Sequence, residues 1–300
     1  MKMATISLTH TPANNAEALR KSAKSEGAWL LSLAAPGAAL ICLTVLLPLG
    51  VMFYLSLRGD GGGFTFEHYE RLWTEPVYSK VFIMTFQVSL YTTLLVALIG
   101  YPLTYFLVQL PEKTLKYALL CILLPFWTAV LVRTYAWLVL LQNKGLVNNA
   151  LIGMGLIGEP LQLAHNMTGA LIGMVHIMIP VMVLPLYASM RSIDQNLVAA
   201  ACNLGAKPSK AFWDVYFPLS LPGFFSGILM VFVMCLGFYV TPAVLGGGQV
   251  IMAAMRIDAN VRLYSSWGAA SSLGITLLAI TVALIAIAAV LARKTGRGVF

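Results

Sequence analysis

The chain has 300 residues, 59% hydrophobic and only 10% charged, with a mean hydropathy of +0.84. This excludes an ordinary soluble domain, where charge makes up about a quarter of the residues. The net charge of +8 does not indicate nucleic-acid binding, because the basic residues sit at the ends of apolar segments, where they set membrane topology. One all-α membrane domain with several spans is predicted.

Residues 1–27 are polar, carry Lys2, Arg20, Lys21 and Lys24, and contain no apolar run. They read as a flexible cytoplasmic leader ahead of a transmembrane domain over 28–300. The leader and the apolar stretch behind it are not a secretory signal, whose apolar core runs to only about 7–15 residues. The first span is predicted over 28–57, with Pro36 and Pro48 placed to bend it. A turn through Gly61, Gly62 and Gly63 leads into FEHYERLW, where Glu67, Glu70 and Arg71 alternate with Tyr69, Leu72 and Trp73 at helical spacing. That pattern predicts a short interfacial helix.

The second span is predicted over 81–110 and the third over 117–141, with a Lys113/Lys116 turn between them. The 143–166 connection contains LVNNALIGMGLI, too short to cross a membrane and read as re-entrant or interfacial. The fourth span covers 167–190, the fifth 219–240 and the sixth 269–291. Six spans put both termini on one side. The leader, the 111–116 turn, the 189–218 loop and the tail hold twelve Lys and Arg, against six in the opposite connections, so the first set is read as cytoplasmic. Cys42, Cys121, Cys202 and Cys235 have neither disulfide nor metal spacing and are expected to behave as small buried hydrophobes.

The loop between the fourth and fifth spans is the longest polar interruption in the second half. Asp194 is placed to cap a short helix whose Leu197, Ala200, Ala201 and Leu204 share one face. Gly205 is placed to end that helix at positive φ, and Pro208 suits the first turn of a second, aromatic helix holding Phe212, Trp213, Tyr216 and Phe217. Small side chains over Ala199–Ala201 let another protein approach the backbone closely. The bland alternative is an ordinary loop between two membrane helices.

This stretch resembles the cytoplasmic loop of ATP-binding-cassette importer permeases, which runs Glu-Ala-Ala, three residues, Gly, nine residues, an aliphatic residue, one more, Leu-Pro. Ala199, Ala200, Ala201, Gly205, Val215, Phe217 and Pro218 fall in that register, with Ala199 in place of the usual glutamate and Phe217 in place of leucine. PFWTAVLVRTYAW (125–137) and LGFYVTPAVLGGG (236–248) are similar to segments of the branch that imports polyamines such as putrescine and spermidine. The resemblance implies a bacterial inner-membrane permease subunit working by alternating access. A periplasmic solute-binding protein would deliver the substrate, and a second, homologous permease would complete the path. A dimer of ATPase subunits, holding ATP and Mg, would dock through a coupling loop. In this chain that loop would comprise Ala199, Ala200, Ala201, Gly205, Ala206, Pro208, Phe212, Val215 and Pro218, and the chain itself would carry no catalytic residue.

For a cationic substrate, the candidate path residues are Phe126, Trp127, Arg133, Tyr135, Trp137, Tyr239 and Asp258, the last being the one acid beside the outer part of the bundle. Cation–π contacts of about 0.5–2 kcal/mol each fall short of the roughly 8 kcal/mol of micromolar binding. Either a partner supplies carboxylates or the external receptor supplies the affinity. The same aromatics also suit interface anchors, and Pro242 with Gly246–Gly248 suits a helix end or a gate. Arg133, within a span, is expected to face the bundle or to snorkel, with Asp258 as its candidate partner. His10, His68, His165 and His176 show no metal-ligand spacing. The runners-up are a permease for another small solute, such as an amino acid derivative or an anion, and an ion-coupled secondary transporter. The latter calls for intramembrane acids that the spans lack.

Overall fold

The computed structural model describes residues 12–59 and 63–294. Lys2, His10, Gly61, Gly62 and Arg297 therefore lie outside the described residues. The chain divides into two units, one reaching Tyr54 and the other starting at Leu55.

The described residues of the first unit all belong to one helix, α1 (Pro12–Ser56), which ends two residues beyond it. Its start at Pro12 means that the described part of the leader is helical and continuous with the first span. Pro36 and Pro48 both lie inside it. The Thr44 hydroxyl donates to the carbonyls of Leu40 (2.9 Å) and Ile41 (3.0 Å), holding the turn before Pro48 together.

The second unit opens with α2 (Glu67–Thr74), the predicted short amphipathic helix, followed by α3 (Pro76–Gln109). Pro76 starts α3 where a missing N–H leaves no gap in the hydrogen bonding. The predicted third span is not one helix. It is broken into α4 (Glu112–Leu123), a 3-10 turn over Leu124–Trp127, and α5 (Val130–Leu141). The Glu112–Trp127 and Val130–Gly153 arms meet at 98°. The break falls at Thr128, where the backbone turns extended and the amide (3.2 Å) and hydroxyl (2.7 Å) both donate to the Pro125 carbonyl, closing the 3-10 turn.

α6 (Leu146–Gly153) is the short element predicted in the 143–166 connection. Buried Asn148 holds the connection around it, donating to the Gln142 (3.1 Å) and Leu161 (2.9 Å) carbonyls and accepting from the Leu161 amide (2.9 Å). α7 (Met167–Arg191) starts at Asn166, whose side chain caps the Gly169 amide at 2.9 Å. α8 (Gln195–Asn203) and α9 (Pro208–Ala211) form the loop. A π turn over Phe212–Tyr216 then joins α9 to α10 (Phe217–Leu236), so Pro208–Leu236 is one continuous helical path rather than a loop helix followed by a separate span. α10 ends at Leu236 before Gly237, and Pro242 belongs instead to α11 (Val240–Leu245). α12 (Ala253–Arg262) and α13 (Trp267–Lys294) complete the chain.

Among the described residues, five helices are long and apolar enough to cross a membrane, and the bent pair Glu112–Trp127 and Val130–Gly153 makes a sixth if counted as one. The core lies where α3, α7 and α10 pack together. Met174, Met178, Met182 and Leu186 line one face of α7 and are fully buried with Val88, Val96, Val231 and Cys235. Glycines let the backbones close in. A Cβ at Gly100 would stand 2.9 Å from Met182 Cγ, and one at Gly227 would stand 2.5 Å from Met182 Sδ. Small residues at close crossings hold membrane helices together where lipid is as apolar as the core. For the same reason the cysteine expectation holds only for Cys235: Cys42 and Cys121 are exposed, and Cys202 is partly exposed.

Candidate functional site

The loop leaves α7 at Arg191. The Asp194 carboxylate accepts from the Asn196 amide at 2.9 Å, capping α8 as its position in the sequence predicts. Ala199 and Ala200 are exposed on α8, and Leu204 at its end is 90% exposed. Gly205 sits at φ +93°. Its amide donates to Cys202 O (2.9 Å) and the Ala206 amide donates to Ala201 O (3.1 Å). Those two bonds are the paired closure of a Schellman ending, which requires a left-handed residue at this point. Lys207 is extended, and Pro208 opens α9 at its first turn. A side chain at position 205 would meet no atom within 4 Å.

The second half of the loop is held differently. Phe212 and Tyr216 each meet the Tyr105 ring edge-on, at 5.1 and 5.3 Å between centroids. Tyr101 packs on Phe217 at 5.6 Å and on Phe224 at 5.4 Å, and its hydroxyl hydrogen-bonds Ser220 at 2.8 Å. Pro218 has no N–H to continue an α-helical ladder, and the backbone widens ahead of it, with the Phe217 amide donating five residues back to Phe212 O. The π turn and the aromatic cluster thus fasten Phe212–Phe217 to α3, with Val215 and Pro218 half-buried. Between this clamp and α8 lies a cleft of about 670 Å³ lined by Tyr105, Gln109, Arg191, Val198, Cys202 and Phe212, among others. An exposed small-residue helix is therefore carried on a base rigidly joined to the bundle. Chemically, such an arrangement can be gripped by another protein and can pass movement into α3 and α10.

The candidate path residues do not form one site. Phe126 is exposed and Trp127 is 90% exposed on the 3-10 turn, and Tyr135 is exposed on α5. Arg133 points inward at 8% exposure, with Nε and Nη1 lacking hydrogen-bond partners. Trp137 Nε1 donates to His176 Nδ1 at 3.1 Å. Tyr239 and Asp258 do come together: the Tyr239 hydroxyl donates to Oδ2 at 3.2 Å. The expected Arg133–Asp258 pair is not formed. Asp258 Oδ1 is taken by Arg262 Nε at 2.6 Å, four residues along the same helix, a separation at which side chains meet without any tertiary alignment. Substituting Arg133→Gln and Asp258→Asn should accordingly give additive losses of thermal stability. A double-mutant cycle should show coupling below about 0.5 kcal/mol, and a larger value would restore the pair.

Sequence reasoning missed three features. His176 and Trp137 are 39 residues apart, and no local pattern links them. Arg256 lies over the rings of Tyr78 (5.6 Å) and Tyr264 (5.3 Å), a stacking visible only once α12 is set against α3. Thr134 and Thr241 hydrogen-bond at 3.1 Å between α5 and α11.

A family model described as the binding-protein-dependent transport system inner membrane component matches residues 77–297, which contain the whole loop. The chain is 34% identical over 240 residues to the spermidine/putrescine transport system permease protein PotB of Haemophilus influenzae, spanning 78% of this chain and 82% of that protein. It is 33% identical over 217 residues to PotB of Escherichia coli K12, spanning 72% of this chain and 78% of that protein. In the crystal structure of a bacterial alginate ABC transporter in complex with alginate pentasaccharide-bound periplasmic protein, one chain shares the fold. Its TM-score is 0.73 at 15% identity, over 91% of this chain and 97% of that one. With the family model matching residues 77–297 and these relatives matching most of its length, the chain belongs to the family of inner-membrane components of binding-protein-dependent transport systems.

Proposed function

We propose that this chain is one of two permease subunits of an ATP-driven polyamine importer of the putrescine/spermidine kind. It forms half of the translocation path and takes up the ATPase stroke through the loop from Ala199 to Pro218. The observation that supports coupling is the two-part loop: exposed small residues ending at Gly205, on an aromatic base clamped to α3. The likeness to the PotB permeases supports the polyamine substrate. In this reading six spans place both termini and the loop in the cytoplasm. A periplasmic binding protein delivers substrate at the far end of the bundle, and a dimeric ATPase binding ATP and Mg grips the loop. The second permease is a homologue. Membrane lipid surrounds the exposed apolar faces, and nucleic acid has no part.

The reading is tested by reconstituting this chain with its ATPase, second permease and binding protein, and measuring uptake of labelled putrescine and spermidine beside an amino acid derivative and an organic anion. ATP-dependent uptake of the polyamines alone is expected. Uptake of the anion or amino acid derivative instead would overturn the polyamine assignment. In intact cells, a cysteine placed in 143–166 should react with an impermeant maleimide and one beside Gly205 should not. The reverse pattern would overturn the sidedness.

A further inference from the structure

Between the break that follows α10 and one face of α12 lies a groove of about 450 Å³, lined by Tyr239, Ala254, Ile257, Asp258, Val261 and Arg262. The last five recur at three- and four-residue spacing, so a single face of α12 forms one wall, with Tyr239 opposite. Ala254, Ile257 and Val261 make that wall apolar, with one carboxylate set into it. Both oxygens of Asp258 are engaged, Oδ2 by the Tyr239 hydroxyl at 3.2 Å and Oδ1 by Arg262 Nε at 2.6 Å. The two charged partners are unequally placed: the Asp258 side chain is 32% exposed, whereas that of Arg262 is 76% exposed. The carboxylate is thus fixed in the groove, while its cation reaches in from solvent on a long flexible stem. Arg256, two residues before Asp258, does not compete for it, because its guanidinium lies over Tyr78 and Tyr264.

We infer that this groove is a subsite for one ammonium end of a linear diamine, and that Arg262 is an internal cation that occupies Asp258 until the substrate displaces it. The inference rests on the polyamine reading above and names where in this chain the substrate is first held. A primary alkylammonium can donate to Asp258 and lie against the electron-rich face of Tyr239, while its methylenes run along Ala254, Ile257 and Val261. The groove falls in the range of about 300–1,000 Å³ usual for small-molecule sites. An exposed ion pair four residues apart on a helix is weakly held, so an incoming ammonium can replace Arg262 with little loss. In the empty state the same arginine keeps the half-buried carboxylate neutralised. The groove lies near the Leu236 end of α10, whereas the loop lies at its Phe217 end, so the two sites are at opposite ends of one helix.

The test is equilibrium dialysis of labelled 1,4-diaminobutane against the purified permease–ATPase complex in nanodiscs, without binding protein, with 1,4-butanediol as the uncharged competitor. Asp258→Asn should weaken binding about tenfold or more, the loss of a charge-assisted contact. Arg262→Ala should tighten binding by about threefold or more, because it removes the competitor and leaves the carboxylate. The second variant separates a site from a structural role, since loss of a merely structural ion pair gives no gain in affinity. Absence of diamine binding by the wild-type complex, unchanged binding in Asp258→Asn, weaker or unchanged binding in Arg262→Ala, or displacement by butanediol would each overturn the inference. Failure of the polyamine reading itself shows separately, as a wild-type complex that takes up no diamine when its binding protein is present.

Discussion

Gly205→Val should leave the permease in the membrane at near wild-type abundance and remove substrate-stimulated ATP hydrolysis and uptake together. The backbone at Gly205 is held at φ +93° by the two hydrogen bonds that close α8, and a β-branched residue there costs about 1–3 kcal/mol in strain. Nothing in the chain lies within 4 Å of where the new Cβ would stand, so the substitution produces no clash with the bundle. The strain would be relieved by opening the α8 ending, and the added isopropyl group would project into the space that the ATPase takes in the proposed complex. Since α8 adds only Val198 to the margin of the core built by α3, α7 and α10, insertion and assembly of the core should be spared. Strain of this size shifts a docking equilibrium about 5- to 150-fold. Ala199→Glu, which places the family's usual acid on an exposed position of α8, should transport at the wild-type rate. Normal transport by Gly205→Val in the purified complex would show that this loop does not couple ATP hydrolysis to movement.

The features legible in the sequence share a physical property: each is decided within one turn of its own residues. The Asp194 cap, the positive φ at Gly205 and Pro208 at the start of α9 are local backbone requirements, and the structure has all three. Apolar run length likewise places α3 and α7 within a few residues of their predicted ends. What was hidden depends on sidedness or on partners distant in sequence. In lipid the outer face of a helix is as apolar as its inner face, so hydrophobicity does not say that Met182 and Cys235 are buried while Cys42 and Trp127 are exposed. The 98° break at Thr128 leaves hydropathy unchanged, because both arms are apolar, and what separates them is a 3-10 turn and an extended backbone at Thr128. The π turn before Pro218 is invisible for a similar reason: the aromatic residues that stabilise it are answered by Tyr101 and Tyr105, more than a hundred residues earlier. Arg133 and Asp258 looked like partners because both were isolated charges in apolar surroundings. The ordinary helical neighbour, Arg262, lay four residues away.

Gly223→Val is expected to have the opposite phenotype to Gly205→Val, loss of the folded protein rather than loss of coupling. Gly223 is buried on α10 where that helix crosses α7. A Cβ there would stand 2.2 Å from Ser189 Cβ, 2.7 Å from Ser189 Oγ and 3.2 Å from the Pro185 carbonyl. Ser189 is too short to swing clear, and the Pro185 carbonyl is backbone, so the helices themselves must separate. Gly227 also faces a carbonyl, that of Met182 at 3.3 Å, but it is more forgiving because its one severe contact, at 2.5 Å, is with the Sδ of Met182, partway along a flexible side chain. Overpacking a well-filled core costs about 1–3 kcal/mol and often more. Separation of α7 from α10 also withdraws the dispersion contacts that substitute for a hydrophobic drive inside the bilayer. Gly223→Val should therefore sharply reduce detergent-extractable monodisperse protein and lower its melting temperature by several degrees, with Gly223→Ala intermediate and Gly227→Ala milder still. Any complex that does assemble should hydrolyse ATP in response to substrate, since the loop and its aromatic clamp are unaltered. Wild-type yield and melting temperature for Gly223→Val would mean that α7 and α10 do not approach this closely. A well-folded but uncoupled Gly223→Val would place the transmission of force at this crossing instead of at Gly205.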